Sequence, residues 1–263
     1  MAEDQLSWTS DLGVVDELGS QIPVIGGGIS SSLPLILTFG LCIKVLLPFW
    51  MIHRKPFSVQ PLMLIWSGLL FGINGAGFLV ALSLTGLGTD TLKCQRPSDR
   101  FTDMVIIHSG TAYFMVKFLD FGRTVFATLR KKSEQTDLLN FLQLALLILL
   151  IQSGIYYNPG GVGYFIGIVD TFLGVFINSY YILSTAKSVR NLQSWKRRVV
   201  QLQVAGYTVL CVHALLFLND TRCKGHKMVM LFQIAYGASS LLLTLHKYKQ
   251  FFPFNLTRVG ICS

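Results

Sequence analysis

The feature that most constrains this chain is a succession of long apolar runs separated by short basic loops. Runs at about residues 34–52, 61–83, 104–128, 138–157, 162–184, 199–218 and 228–246 approach or exceed the roughly 20 residues that carry a helix across a bilayer. Lipid offers no partner to an open backbone N–H or C=O, so helix is the expected state of every run. The expected fold is therefore all-α: a polytopic membrane protein with seven transmembrane helices. Composition agrees, at 52% hydrophobic and 13% charged residues. One or two soluble domains, which 263 residues would otherwise allow, are disfavoured. The net charge of +9 does not point to nucleic acid, because the basic residues fall in loops between apolar runs.

The resulting organisation is an acidic N-terminal tail over 1–33, a membrane domain over 34–246 and a C-terminal tail over 247–263. There is no internal repeat or low-complexity tract. The first tail has no Lys or Arg but carries Glu3, Asp4, Asp11, Asp16 and Glu17. A secretory signal needs a basic start and then an apolar run, so insertion is expected to rely on the first spanning helix. An odd number of spans separates the termini. Loops on the side of the C-terminus hold thirteen basic residues, among them Arg54, Lys55, Arg130, Lys131, Lys196 and Arg197. Loops on the other side hold six. The positive-inside rule then puts the C-terminus in the cytosol and the N-terminus in the lumen.

Within the third run, Lys117, Asp120 and Arg123 recur at i, i+3 and i+6, which places them on roughly one helix face. Charge at membrane depth costs several kcal/mol, so such residues face a protein interior and mark a site. A carboxylate alone in lipid would protonate, so Asp120 is expected to pair with Lys117 or Arg123.

This stretch, together with the basic loop and the apolar run after it, resembles the very-long-chain fatty acid elongase (ELOVL) family. The family pattern is Lys-x-x-Glu-x-x-Asp-Thr-x-Phe-x-x-Leu-Arg-Lys-Lys, then seven residues and a His-x-x-His-His box. Lys117, Thr124, Phe126, Leu129, Arg130, Lys131 and Lys132 match, and the spacer 133–139 fits without a gap. The basic loop Arg54-Lys55-Pro56-Phe57, the Cys94-Gln95 stretch, Tyr180-Tyr181 and Gln201-Leu202-Gln203 are similar to family segments in the same order. The box itself is absent. Its histidine positions hold Asn140, Gln143 and Leu144, and Gly174 stands where a later family helix has another histidine. Arg123 replaces an Asp and Asp120 a Glu.

The resemblance implies an elongase-like bundle around an acyl tunnel, six of whose helices enclose the chain, in the endoplasmic reticulum membrane. It implies condensation of acyl-CoA with malonyl-CoA to 3-oxoacyl-CoA, with no cofactor beyond these substrates. Partners would be membrane lipid, a fatty acyl chain or acyl-CoA, and a second copy or an active elongase as dimer partner. The chemistry depends on imidazole, which is nucleophilic near neutral pH and also moves protons. An amide nitrogen has no basic lone pair, and Leu144 has no polar atom. The expectation is therefore a divergent member without condensing activity. Asn140 and Gln143 should point into an enclosed cavity near Lys117 and Gln203.

Two alternatives stand beside it. One is an elongase using displaced groups such as His108 or His213; the other is a transporter or channel whose polar path includes Lys44, Lys117, Asp120, Arg123 and Asp170. Candidate polar residues of the tunnel are Lys117, Asp120, Arg123, Tyr180, Tyr181, Gln201, Gln203 and His213. Tyr180 and Tyr181 equally suit an interfacial belt, Gln201 and Gln203 helix-to-helix bonding, and His213 a hydrogen-bonded core position. No Cys-x-x-Cys unit, metal-spaced histidine pair, Gly-x-Ser-x-Gly or phosphate-binding glycine loop occurs. Cys94 and Cys223 fall in loops assigned to the lumen, which makes them the expected disulfide. The sequon at Asn219 is expected to be unused because it lies close to the bilayer. The one at Asn255 is expected to be silent in a cytosolic tail.

Overall fold

The structure is a computed structural model that describes residues 29–92, 100–131, 138–157, 161–186, 192–218 and 227–251. Cys94, Cys223, Asn219 and Asn255 lie outside the described residues. The described segments are helical, with no strand among them. The first rod comprises α1 (Ile29–Leu41), a π-helical stretch (Cys42–Leu46) that carries Lys44, and α2 (Leu47–Met51). It is followed by α3 (Gln60–Leu84), α4 (Arg100–Leu119), α5 (Phe121–Leu129), α6 (Leu138–Tyr157), α7 (Phe165–Ala186), α8 (Leu192–Leu218) and α9 (Lys227–Phe251). Short 3-10 turns, Thr89–Leu92 and Gly161–Tyr164, meet each other beside the bundle ends.

Five of the described rods are long and apolar enough to cross a membrane: Ser32–Met51, Gln60–Leu84, Phe165–Thr185, Leu192–Leu218 and Val229–Tyr248. The seven expected from the sequence include two that fall short by this measure. The apolar part of α6, Leu139–Ile155, is shorter, and the third run is divided at Asp120 into α4 and α5. There Asp120 N–H donates to Lys117 O and Arg123 N–H to Asp120 O, an i to i−3 pattern that tightens the helix.

Large apolar side chains line the outside, including Phe49 (73% exposed), Ile65 (69%) and Leu242 (68%). In water such a surface would be a binding or aggregation patch; facing hydrocarbon it is the solvated side. Inside, six rods form a ring through successive contacts, in the order α3, α7, α8, α9, α6, α4 and back to α3. The rod containing α1 packs outside the ring on α6, where Phe141 leaves no room for a side chain at Gly40. Phe114, Ile148, Leu150, Leu173, Leu210 and Met230 are among the fully buried residues that fill the bundle. This arrangement turns the Lys117 face of α4 toward α7 and α9.

Candidate functional site

The centre of the ring is an ionic cluster. Lys117 is 2% exposed. Its Nζ donates to Asp120 Oδ2 at 3.3 Å and forms a second ion pair with Asp170 of α7. Arg123 Nη2 donates to Asp120 Oδ1 at 2.7 Å, so both expected cations reach Asp120. The tightened turn at Asp120 is what brings residues three apart on either side to one carboxylate. Tyr113 Oη donates to Asp170 Oδ2 at 2.5 Å and Tyr236 Oη to Asp170 Oδ1 at 3.4 Å. The Arg123 guanidinium lies 5.4 Å from the Tyr181 ring centroid. Two cations and two carboxylates thus close on one another. Arg123 adds positive charge to this face, and Asp170 offsets part of it.

The degenerate histidine positions are spread around this cluster and all are occupied by packing or hydrogen bonds. Gln143 Nε2 donates to Ser240 Oγ at 2.9 Å and reaches Tyr207 Oη at 3.5 Å. Asn140 Oδ1 accepts from Lys247 Nζ at the end of α9. Leu144 packs against the hydrophobic core. Gly174 is a close-contact position: a Cβ there would lie 2.5 Å from Asn74 Oδ1, so Asn74 of α3 fills the space a side chain would need.

Other expected site residues lie elsewhere. Gln201 is exposed on α8, outside the bundle interior, and Gln203 is partly buried. Tyr180 packs edge-on to Tyr181, with ring centroids 5.7 Å apart. His213 is 5% exposed and stacks on Phe165 at 3.9 Å. Its Nε2 lies 3.1 Å from Thr91 O, to which it donates, and its Nδ1 accepts from Gln233 Nε2 at 3.3 Å. Both ring nitrogens are therefore engaged in holding a 3-10 turn and α9 to α8.

A cavity of about 270 Å³ opens between α3, α4, α6 and α7. Its wall is almost wholly apolar, with Ile73, Val80, Ile106, Ile107, Val116 and Ile155 among its residues. Asn74, Ser109, Tyr113, Tyr164 and Thr171 supply the polar atoms. The expectation that Asn140 and Gln143 face a cavity near Lys117 and Gln203 differs from this geometry: none of these four lines it. Asn140 and Gln143 are held to α9 through Lys247 and Ser240, and Lys117 pairs with Asp120 and Asp170, whereas the cavity is lined from α3, α4, α6 and α7. Tyr113 links the two regions, since it lines the cavity and binds Asp170. Reading the sequence missed Asn74, Tyr113, Tyr207, Tyr236 and Ser240. The signal that could have found them was a polar side chain inside each apolar run, as for Asn74 within 61–83.

Helices of this length and apolarity around a buried polar centre define a multi-span, all-α membrane protein. The sequence profile of the family described as ELO, GNS1/SUR4, matches residues 29–254, and the chain belongs to that fatty acid elongase family. Among its relatives is very long chain fatty acid elongase 7 of Drosophila melanogaster, 26% identical over 73% of this chain and 60% of the fly protein. Elongase 7 of Rattus norvegicus is 27% identical over 82% of this chain and 80% of the rat protein. Elongase 4 of Macaca mulatta is 29% identical over 76% and 65%. The chain thus spans under two thirds of the fly and macaque proteins.

Proposed function

We propose that this chain is a non-condensing member of the elongase family that holds a fatty acyl chain within the bundle. On this reading it sits in the endoplasmic reticulum membrane with its N-terminus lumenal and its C-terminus cytosolic. It acts as a homodimer or beside an active elongase.

The observation that carries the reading is that every position where the family pattern has imidazole is filled by a group engaged in structure. An acyl-imidazole forms when a ring nitrogen attacks the thioester carbonyl and the CoA thiolate leaves. Gln143 and Asn140 have delocalised amide nitrogens, and they bind Ser240 and Lys247 instead. At 174 there is no side chain, and Asn74 occupies its place. Of the two histidines that a displaced mechanism would recruit, His213 has both nitrogens committed and His108 is exposed on α4, away from the buried cluster. Removing every nucleophile of a covalent route leaves only binding and positioning to act on rate. The apolar cavity depends on helix packing and not on those side chains, so chain binding survives their loss.

Mass spectrometry of the full chain, purified from membranes and incubated with a panel of saturated and unsaturated acyl-CoAs, tests both halves. Under denaturing conditions the protein mass should be unchanged; a covalent acyl adduct would overturn the non-condensing half. Under native conditions a non-covalent chain should be retained. A bare protein across the whole panel would remove the binding half.

A further inference from the structure

The loop between α2 and α3 reads His53-Arg54-Lys55-Pro56-Phe57, and all five residues are exposed. Two hydrogen bonds dock it on the end of α5. Phe57 N–H donates to Leu129 O at 3.1 Å, and Lys131 Nζ donates to Ile52 O at 3.3 Å. Lys131 adopts a left-handed backbone, with φ of 54°, a conformation that a side chain disfavours. The docking brings Arg54 and Lys55 to the same end of the bundle as Arg130 and Lys131. Four cations so placed repel one another. Among the described residues no carboxylate forms an ion pair with any of them; the ion pairs there join only Lys117, Asp120, Arg123 and Asp170.

Arg54 is held in place by an aromatic platform. Its guanidinium carbon lies 3.9 Å from the Trp50 ring centroid. The Trp50 ring in turn stacks on Phe57, with centroids 6.1 Å apart and planes at 3°. A guanidinium laid on an indole keeps its N–H edge free, and that planar fork matches phosphate oxygens. Arg130 Nη1 donates to Met63 Sδ at 3.1 Å, a weak acceptor that an anionic oxygen outcompetes. Beside the fork, Phe49, Trp50 and Ile52 are exposed on the apolar flank of the first rod, which packs outside the ring. Cations next to exposed aromatic and aliphatic side chains match a molecule that joins a negative head to a hydrocarbon chain. A soluble nucleotide or an acidic protein would use the charges and leave the apolar flank without a role.

We propose that this surface binds one anionic phospholipid from the leaflet it faces. The lipid phosphate accepts from the N–H edge of Arg54, the head lies among Lys55, Arg130 and Lys131, and a chain runs along Phe49 and Ile52. The site is on the outer flank of the bundle, so it does not depend on a chain being held inside.

The test is a titration of the full chain, in non-ionic detergent, with dioleoylphosphatidylserine or dioleoylphosphatidylcholine, bound lipid being counted by native mass spectrometry. The first serine-lipid adduct should form at least about fivefold more tightly than the first choline-lipid adduct. Arg54→Gln should weaken it about fivefold, the contribution of one cation at an anionic membrane surface. Trp50→Leu keeps every charge and removes the platform, and should weaken it about two- to fivefold. Arg197→Gln removes an equal charge from an exposed position on α8 and should leave it unchanged. Arg54→Gln alters an exposed side chain, so it decides the matter if Trp50→Leu does not fold. Equal affinity for the two lipids, or serine-lipid binding intact in Arg54→Gln or in a folded Trp50→Leu, would overturn the inference. Equal weakening by Arg197→Gln would show attraction by net charge alone and overturn it too. Displacement of the serine lipid by an equal concentration of pyrophosphate or coenzyme A would assign the surface to soluble phosphates and also overturn it.

Discussion

Asp170→Asn perturbs the centre of the bundle with little change in shape, and its cost can be worked from the contacts. The carboxylate neutralises Lys117 and accepts from Tyr113 and Tyr236. Breaking a buried ion pair from one side costs about 3–5 kcal/mol, mostly because the remaining charge stays buried. Lys117 retains Asp120 at 3.3 Å, so the lower end, about 3 kcal/mol, applies. For a chain of this size that is a fall in Tm of roughly 6–12 °C, read by thermal denaturation of the purified protein in one detergent. Arg123→Gln alone leaves the cluster with excess negative charge and should also destabilise. The double variant restores a cluster of one cation and one carboxylate, so its loss should be smaller than the two losses added, by about 1–3 kcal/mol. An Asp170→Asn protein that melts with the wild type, or a double variant whose loss equals the sum, would refute the self-neutralising cluster.

The close contact at Gly174 predicts that Gly174→His destabilises by about 1–3 kcal/mol through overpacking against Asn74, and that Asn74→Ala in the same chain recovers part of it in the same melt. Histidines restored together at 140, 143, 144 and 174 should therefore not revive condensation while Asn74 and Arg123 remain. A Cβ at Gly122 would lie 2.6 Å from the Trp66 ring, so Gly122→Ala should cost about 1–3 kcal/mol and Trp66→Leu should relieve it. His213→Ala frees Thr91 O and Gln233 and should cost about 2 kcal/mol, with faster hydrogen exchange in residues 89–92 as its local signature.

The membrane-helix character was legible because apolar runs of bilayer length have few alternatives. The run read at 138–157 coincides with α6, and those at 61–83 and 162–184 with most of α3 and α7. The division of 104–128 at Asp120 was not legible, since hydropathy averages over a turn and an i to i−3 tightening leaves no mark on it. The pairing of Asp120 with its neighbours could be read from i, i+3 spacing. The pairing of Lys117 with Asp170 could not, because it is set by which face α7 presents to α4. Asn74 was hidden for the same reason: it matters only because Gly174, on another helix, leaves it room.

The most direct test of the central claim is a condensation assay on the purified, unmodified chain. Labelled malonyl-CoA and a panel of acyl-CoAs are supplied, and 3-oxoacyl-CoA is read by mass spectrometry beside an active elongase. With Asn140, Gln143, Leu144 and Gly174 at the imidazole positions, product should not exceed that of a no-protein control for any chain. Clear malonyl-CoA-dependent product from this chain would contradict the account and assign the chemistry to groups other than those positions.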